Sequence, residues 1–257
     1  MPPAASDTGE PDSVGVAPDG GMRPSTVASR PRIAPRPLHG YFVTFTALFA
    51  LLVLIGFSRT FFLPVAQGTF SRPPVVHIHG ALFFAWTLLL VLQSVLAARK
   101  KLRWHRRIGS YAAWLIIPML LMGGLVSGRD TQNDFETGGG EPRLIFFYGE
   151  LADLAMFGTL AGLAMLLRHK PQFHKRLVLL GSLGLLGAAI GRTPELSGMY
   201  ILEAMIGSMA VYDLFSQRRL HIATIAGGAF LLLMAYSQGA IGGTQQWLSF
   251  AHRILGV

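Results

Sequence analysis

The chain has 257 residues, of which 51% are hydrophobic and only 14% are charged, and its formal net charge is +9. A soluble domain carries about a quarter charged residues, so this composition favours a helical membrane protein. Cysteine is absent, which excludes a disulfide framework, a thiolate metal site and a cysteine nucleophile. The Lys and Arg residues concentrate in short loops between apolar runs, which indicates membrane topology rather than nucleic acid binding.

The N-terminal tail, residues 1–38, contains eight of the fifteen prolines, mixed with Ala, Ser, Gly and Asp. Such a segment cannot bury enough apolar surface to fold, and we predict a disordered tail on the cytoplasmic side. It lacks the charged start, short apolar core and cleavage site of a signal peptide. The first apolar segment is therefore expected to act as an internal anchor.

Seven apolar segments follow the tail, and most of them approach the roughly 20 residues that cross a bilayer as a helix. They lie at residues 41–57, 79–98, 108–127, 144–167, 177–191, 199–215 and 222–240. We therefore predict an all-α bundle of seven transmembrane helices over residues 39–240, with a turn at Pro194 between the fifth and sixth helices. The last segment, residues 241–257, is amphipathic, and we expect it to lie at the membrane interface.

The distribution of basic residues predicts the orientation of the bundle in the membrane. With the N-terminus inside, 16 of the 22 Lys and Arg residues fall on the inner side and 6 on the outer side. Loops rich in Lys and Arg stay in the cytoplasm. The sequence thus predicts a multi-pass protein of the bacterial inner membrane, surrounded by lipid, with its N-terminus inside and its C-terminus outside.

The fifth segment is rich in glycine. In GSLGLLGAAIG, Gly187 and Gly191 have GxxxG spacing, and Gly181 and Gly184 lie nearby. Glycine on one face lets two helix backbones approach closely in lipid. We predict that this face either packs against another helix of the bundle or forms the contact of a homo-oligomer or a membrane complex.

Three histidines open outward-going segments at the inner surface. His105, His174 and His221 occur in the strings WHRRIG, FHKRLV and RRLHIA. Histidines at one depth on separate helices are what the two axial positions of a b-type haem require, and adjacent Arg could pair with its propionates. The alternatives are interfacial anchors that reach toward lipid phosphate, or a site for a quinone or an anionic lipid head.

A second group of polar residues is predicted in the outer half of the membrane. Glu150 and Asp153 are three residues apart and share one face of the fourth helix. Glu203, Arg192 and Gln238 are expected at a similar depth. Because a buried carboxylate is costly unless it is paired, an acid inside the membrane is a candidate for function. Glu150, Asp153, Glu203 and Arg192 are therefore the candidate catalytic residues.

His77 and His79, in VVHIHG, are the candidate metal ligands of this outer group. In extended backbone they point the same way and could chelate one Zn or Fe ion together with a carboxylate, whereas in a helix they diverge by about 200°. The prolines upstream favour an extended entry. The structural alternative gives each acid a local partner, such as Arg143 for Glu150 and Arg192 for Glu203.

Three further residues have simpler interpretations. Asp213 is expected to form a salt bridge with Arg218 and Arg219 across a turn. Gln93 is interpreted as a helix–helix hydrogen bond, and Trp86 as a packing residue. No P-loop, GxSxG, HExxH or dinucleotide-binding pattern occurs in a suitable context.

From GFSRTFFL onward, over about four-fifths of its length, the chain resembles a widespread bacterial family of seven-helix membrane proteins with no assigned activity. The resemblance rests on FSRTFFL, VHIHGALFFAWTLLLVLQSVL, WHRRIG, FHKRLVLL, AAIGRTPEL, VYDLFSQRRLHIAT and the tryptophan-containing tail. It implies the seven-helix fold but no residue roles. More distantly, the chain resembles small haem-associated membrane proteins with histidines at helix ends.

Three functional hypotheses remain open from the sequence. One is a membrane enzyme or redox protein that works at the outer polar group. Another is an electron-transfer protein that holds b haem near the inner face. The third is a non-catalytic accessory subunit whose polar residues only fix helix packing.

Overall fold

The computed structural model of the protein describes residues 40–193 and 198–257. These residues are almost entirely helical, and no strand occurs among them. The predicted disordered tail and the predicted turn at Pro194 lie outside the described residues.

Eleven α-helices occur in the described part of the chain. They are α1 (Tyr41–Phe57), α2 (Leu63–Ala66), α3 (Pro74–Ala98), α4 (Leu102–Ala112), α5 (Ile116–Asp134), α6 (Gly140–Leu166), α7 (Pro171–Leu183), α8 (Leu186–Ile190), α9 (Gly198–Gln217), α10 (Ile222–Gly242) and α11 (Gln245–Leu255). A π-helical turn at Ser58–Phe62 joins α1 to α2.

Six helical stretches of the described residues are long and apolar enough to cross a membrane. They are Tyr41–Ala66, Pro74–Ala98, Leu102–Leu166, Pro171–Ile190, Gly198–Gln217 and Ile222–Gly242. The predicted all-α, multi-pass architecture is therefore confirmed. The count of seven crossings and the orientation remain predictions.

The longest stretch, Leu102–Leu166, contains a reversal of the chain. Gly138 and Gly140 have φ angles of 103° and 54°, which glycine adopts without strain. After this turn α6 runs back along α5, so that Ser127 hydrogen-bonds to Glu150 and Gly123 lies against Leu154. In each of these contacts the two residues lie equally far along the chain from the turn, as they do in a pair of antiparallel helices.

The helix α3 begins earlier than the sequence analysis predicted. Its first residue is Pro74 rather than residue 79, and the preceding Pro73 is the N-cap. Proline suits the first helical position because its N–H would have no partner there and its φ is already helical. The prolines therefore start the helix, and VVHIHG is helical rather than extended.

The two ends of the bundle differ in character. At the basic end, the basic loops at residues 99–101, 167–170 and 218–221 join α3 to α4, α6 to α7 and α9 to α10. At the opposite end, called here the cavity end, α3 and α6 begin and α8 and α10 end. The three basic loops thus lie together at one end of the bundle.

The glycine-rich face of α7 and α8 packs against α6. A Cβ atom at Gly181 would lie 2.9 Å from the backbone nitrogen of Ala161, and one at Gly184 would lie 3.0 Å from Cβ of Met156. The prediction of packing within the bundle describes these contacts correctly. Gly181 and Gly184 are thus occupied by the chain's own helix α6, whereas Gly187 and Gly191 are exposed, and a homo-oligomer contact through them remains a prediction.

The C-terminal helix α11 is amphipathic and covers the start of α6. Thr244 caps its first turn by accepting a hydrogen bond from the backbone N–H of Trp247. Trp247 Nε1 donates to the carbonyl oxygen of Leu144 at 2.8 Å. Leu248 and Leu255 are buried on the same side. The location of α11 at a membrane interface remains a prediction.

Candidate functional site

A cavity of about 680 Å³ lies inside the bundle toward the cavity end. Side chains from α1, α3, α5, α6 and α10, together with the α8 segment, line it. Four of the residues predicted to converge do so here, namely His79, Glu150, Asp153 and Arg192, and Gln238 joins them. The predicted roles of these residues in catalysis remain untested.

Phenylalanine dominates the rest of the cavity wall. Eight of the seventeen phenylalanines of the chain line it. They are Phe49, Phe57, Phe61, Phe62, Phe70, Phe83, Phe84 and Phe146. The sequence analysis did not predict this wall, although the high frequency of Phe between residues 57 and 84 could have indicated it. The cavity is thus mostly apolar, with a small number of polar groups.

Glu150 has a local cationic partner. Nη2 of Arg143 lies 3.3 Å from its Oε2, and Ser127 donates a hydrogen bond to the same oxygen. Arg143 also pairs with the exposed Asp134, at 3.0 Å. The structural alternative, in which Arg143 is the partner of Glu150, is therefore confirmed. Arg143 therefore offsets the negative charge of Glu150.

Asp153 lies one turn further along α6 and is paired differently. Nε2 of Gln238 donates to its Oδ1 at 2.9 Å. A Cβ at Gly187 would lie only 2.7 Å from Oδ2, so the glycine makes room for the carboxylate. No Lys or Arg of residues 40–193 and 198–257 forms an ion pair with Asp153. Asp153 is therefore a carboxyl group in the cavity wall that none of these cations pairs with.

The two histidines of VVHIHG have different surroundings. Because α3 is helical here, they diverge by about 200° around its axis. His77 is exposed and its ring contacts Phe70, with centroids 5.1 Å apart. His79 lines the cavity, packs on Phe83 at 4.3 Å, and has a buried Nδ1 with no hydrogen-bond partner.

The predicted chelation of one metal ion by His77 and His79 is therefore wrong. Two side chains on different faces of a helix cannot reach a common ion at the roughly 2 Å that ligation requires. Within the described residues, no group of three or more His, Cys, Asp or Glu is arranged to hold a metal.

Arg192 and Glu203 do not form the predicted ion pair. Arg192 lines the cavity, lies over the ring of Phe57 at 4.6 Å and donates to the carbonyl oxygen of Ala188. Glu203 accepts a hydrogen bond from the exposed Tyr236 hydroxyl. Because α9 contributes no residue to the cavity lining, Glu203 lies outside the site.

The three histidines of the basic end, which could have shared one site, do not all lie together. The rings of His105 and His174 are 6.3 Å apart between centroids and nearly perpendicular. Nδ1 of His174 lies 3.0 Å from the carbonyl oxygen of Ala164. His221 instead caps α10, since its Nδ1 accepts a hydrogen bond from the N–H of Ala223. Only His105 and His174 face each other.

Gln93 and Trp86 have the contacts that the sequence predicted. With its amide nitrogen turned toward His105, Gln93 donates to Nδ1 at 2.7 Å and accepts from the N–H of Gly109. Trp86 is buried against Phe157, and its Nε1 also donates to Ser182 at 3.1 Å. The predictions of a helix–helix hydrogen bond and a packing residue are confirmed.

The predicted salt bridge of Asp213 with Arg218 and Arg219 is wrong. Asp213 is fully buried and pairs with Arg176 of α7. The sequence analysis did not predict this pair, because it assigned the Lys and Arg residues to the short loops between the apolar segments. The residues Ser127 and Asp130 of the cavity wall were missed as well.

The described residues define a helical bundle of a multi-pass membrane protein with an aromatic and acidic cavity. Comparisons with models of known protein families, with curated proteins and with solved structures find no match for the chain.

Proposed function

We propose that this protein is a bacterial inner-membrane enzyme or redox protein that binds a small lipophilic molecule in the cavity and exchanges a proton with it. The observation that carries the proposal is the cavity of about 680 Å³, which places carboxyl groups and an imidazole in a wall of phenylalanines. Sites for small molecules have this character, with a largely apolar lining and few polar groups that fix the ligand.

Two polar groups support the assignment of a ligand. His79 has a buried Nδ1 without a hydrogen-bond partner. Buried polar atoms are normally satisfied, and an exception calls for a functional explanation. Asp153 lines the same cavity with Gln238 as its hydrogen-bond donor, and no Lys or Arg of the described residues forms an ion pair with it. A bound molecule would give His79 a partner and Asp153 a second one, and both groups can take up or release a proton.

A cavity-filling variant tests whether a ligand binds. Gly239 lines the cavity, and a Cβ there meets no atom within 4 Å. Gly239→Leu should therefore fill the cavity without a clash. Gly207 has equally open surroundings but lies outside the cavity lining, so Gly207→Leu is the matched control.

Native mass spectrometry of the purified protein should detect a bound lipophilic molecule in the wild type and in Gly207→Leu, but not in Gly239→Leu. A wild-type protein without any bound lipophile would contradict the proposal and favour the accessory subunit. Retention of the molecule in Gly239→Leu would show that it binds elsewhere.

Proton exchange is tested by titrating that molecule into the protein in buffers of different ionisation enthalpy. The wild type should take up or release protons on binding. Asp153→Asn removes the ionisable group but keeps the shape, so the proton count should fall while binding persists. An unchanged count in Asp153→Asn and in His79→Gln would remove the proton-exchange role.

A b-type haem at the basic end is a second candidate, favoured by the spacing of His105 and His174. Their ring centroids are 6.3 Å apart, so these two imidazoles are the residues that would hold the haem iron. A neutral histidine that ligates a metal through Nε2 carries its proton on Nδ1. When the amide nitrogen of Gln93 faces the ring of His105, it donates to Nδ1, which disfavours a proton at that position. A bound haem would supply one-electron chemistry.

The optical spectrum tests this candidate. Protein purified with haem supplied should show a Soret band that is lost in His105→Ala and in His174→Ala. His221→Ala is the control, because His221 caps a helix and does not face the pair. A wild-type protein without a Soret band would remove the candidate.

A further inference from the structure

We propose that the ligand of the cavity is a benzoquinone or its hydroquinone, a flat ring with an oxygen atom on each of two opposite sides. This inference rests on the proposed function, because it names the class of lipophilic molecule that the same cavity takes. Three features of the cavity carry it: the aromatic wall, the two polar groups on separate helices, and the balance of charge.

The aromatic wall suits a flat ring. Phe61 and Phe62 pack edge to face with centroids 5.3 Å apart, and Phe62 packs in the same way on Phe84 at 5.4 Å. Such rings present both faces and edges to the cavity, and aromatic molecules pack on them in stacked or edge-to-face contacts. A long saturated chain would gain no such contact beyond burial of its area.

The two polar groups lie on different walls of the cavity. Asp153 belongs to α6 and His79 to α3, and both of these helices pack on α5. A carboxylate accepts a hydrogen bond from a hydroxyl group, whereas an imidazole nitrogen donates or accepts according to its tautomer. The hydroquinone, which has a hydroxyl group on each of two opposite sides, would offer one hydrogen bond to each of these walls. A molecule with one polar head would reach only one of the two walls, and would leave either His79 Nδ1 without a partner or Asp153 with Gln238 as its only one.

The charges of the cavity favour a neutral ligand. The lining contains Asp130, Glu150 and Asp153 beside Arg72 and Arg192, so that a fatty acid carboxylate would meet acids and an organic cation would meet guanidinium groups. Arg192 is fixed by Phe57 and by the carbonyl oxygen of Ala188, so it stays in the wall. Quinone oxygens carry partial negative charge and no net charge, which suits a wall with both a guanidinium and a carboxyl group.

The test is the binding of decyl-benzoquinone to the purified full-length protein in detergent, measured by calorimetry and by thermal stabilisation. The wild type should bind it saturably, and decylbenzene, which has the ring and the tail but no oxygens, should bind about tenfold more weakly or less well still. Decanoate and decylamine should not compete.

His79 and His77 provide a matched pair of variants, two residues apart on one helix. His79→Ala should weaken decyl-benzoquinone binding about tenfold, whereas His77→Ala should leave it unchanged, because His77 lies outside the cavity lining. Asp153→Asn should weaken binding of the hydroquinone more than that of the quinone, since only the hydroquinone donates a proton. Glu203→Gln is its control.

The outcomes separate this inference from the proposed function. If decylbenzene competes as well as decyl-benzoquinone, the oxygens are not recognised and the ligand class is wrong. If decyl-benzoquinone does not bind but another lipophile co-purifies with the wild type and is lost in Gly239→Leu, the ligand class is wrong and the proposed function stands. If no lipophile binds, both fail.

Discussion

Arg176 and Asp213 form an ion pair in which 1% of the arginine side chain and none of the aspartate side chain is exposed. Nε of Arg176 donates to Oδ1 at 3.0 Å, and the carboxylate also accepts from Thr224 Oγ1 at 2.6 Å and from the backbone N–H of His221 at 3.1 Å. These bonds connect α7, α9 and the start of α10 at the basic end. One carboxylate thus holds three separate elements together.

We predict that Asp213→Asn strongly destabilises the protein. The substitution keeps the shape of the side chain but leaves the buried guanidinium of Arg176 without a compensating charge, which costs about 3–5 kcal/mol. Thermal unfolding of the purified protein in detergent should therefore begin at a clearly lower temperature.

The control for this substitution is Asp134→Asn. Asp134 also pairs with an arginine, but 61% of its side chain is exposed, and exposed pairs contribute about 0–1 kcal/mol. Equal unfolding temperatures for the two variants would show that the Arg176–Asp213 pair does not stabilise the bundle.

We predict that Gly187→Ala destabilises the protein by displacing the carboxylate of Asp153. The added Cβ would lie 2.7 Å from Oδ2, so the carboxylate must turn away from Gln238, and the loss of that hydrogen bond costs about 1–3 kcal/mol. Shortening the acid in the double variant Gly187→Ala/Asp153→Ser should recover most of the loss in a thermal unfolding measurement.

Gly162→Ala is the matched control, because a Cβ at Gly162 in α6 meets no atom within 4 Å. Alanine is preferred over glycine in a helix by about 1 kcal/mol, so this variant should be neutral or slightly more stable. A Gly187→Ala protein as stable as Gly162→Ala would show that Asp153 is not held where the structure has it.

Acid is expected to weaken the start of α10. Burial lowers the pKa of His221, and the positive charge of Arg176 lowers it further. The neutral ring is therefore the form that the folded protein prefers, and its Nδ1 accepts the capping hydrogen bond of Ala223. The stability that this cap contributes is present above the ordinary histidine pKa of about 6.5 and is lost as the pH falls below it.

Thermal unfolding at pH 7.5 and at pH 5 measures this effect. The wild type should lose stability on acidification, and His221→Asn, which caps the helix without titrating, should lose less. The same pH dependence in both proteins would assign it to other groups.

The basic end is predicted to face the cytoplasm. Alkaline phosphatase, which is active only outside the cytoplasm, should be active when fused after residue 134 or 257 and inactive when fused after residue 102 or 172. The first two sites lie at the cavity end of the bundle, and the last two lie next to the basic loops. An active fusion after residue 102 would reverse the orientation and place the cavity in the inner half of the membrane.

The sequence alone determined the class of the protein and the depth of its polar residues. Hydropathy and helical rise are local properties, so the apolar segments and the position of each polar residue along its helix follow from the chain. That is why Glu150, Asp153, Arg192 and Gln238 were expected at one level, and the cavity contains all four.

Only the tertiary structure decided which of these residues meet. Each residue along a helix turns the side chain by about 100°, so that two neighbours in sequence can face different surroundings. His79 faces the cavity while His77 does not, and Glu203 is turned away with α9. Asp213 finds its partner 37 residues away in Arg176 rather than in the adjacent loop. Such pairings depend on which helices pack together and on how each helix is rotated about its axis. Neither is a property of a short stretch of sequence, so neither could be predicted from this sequence alone.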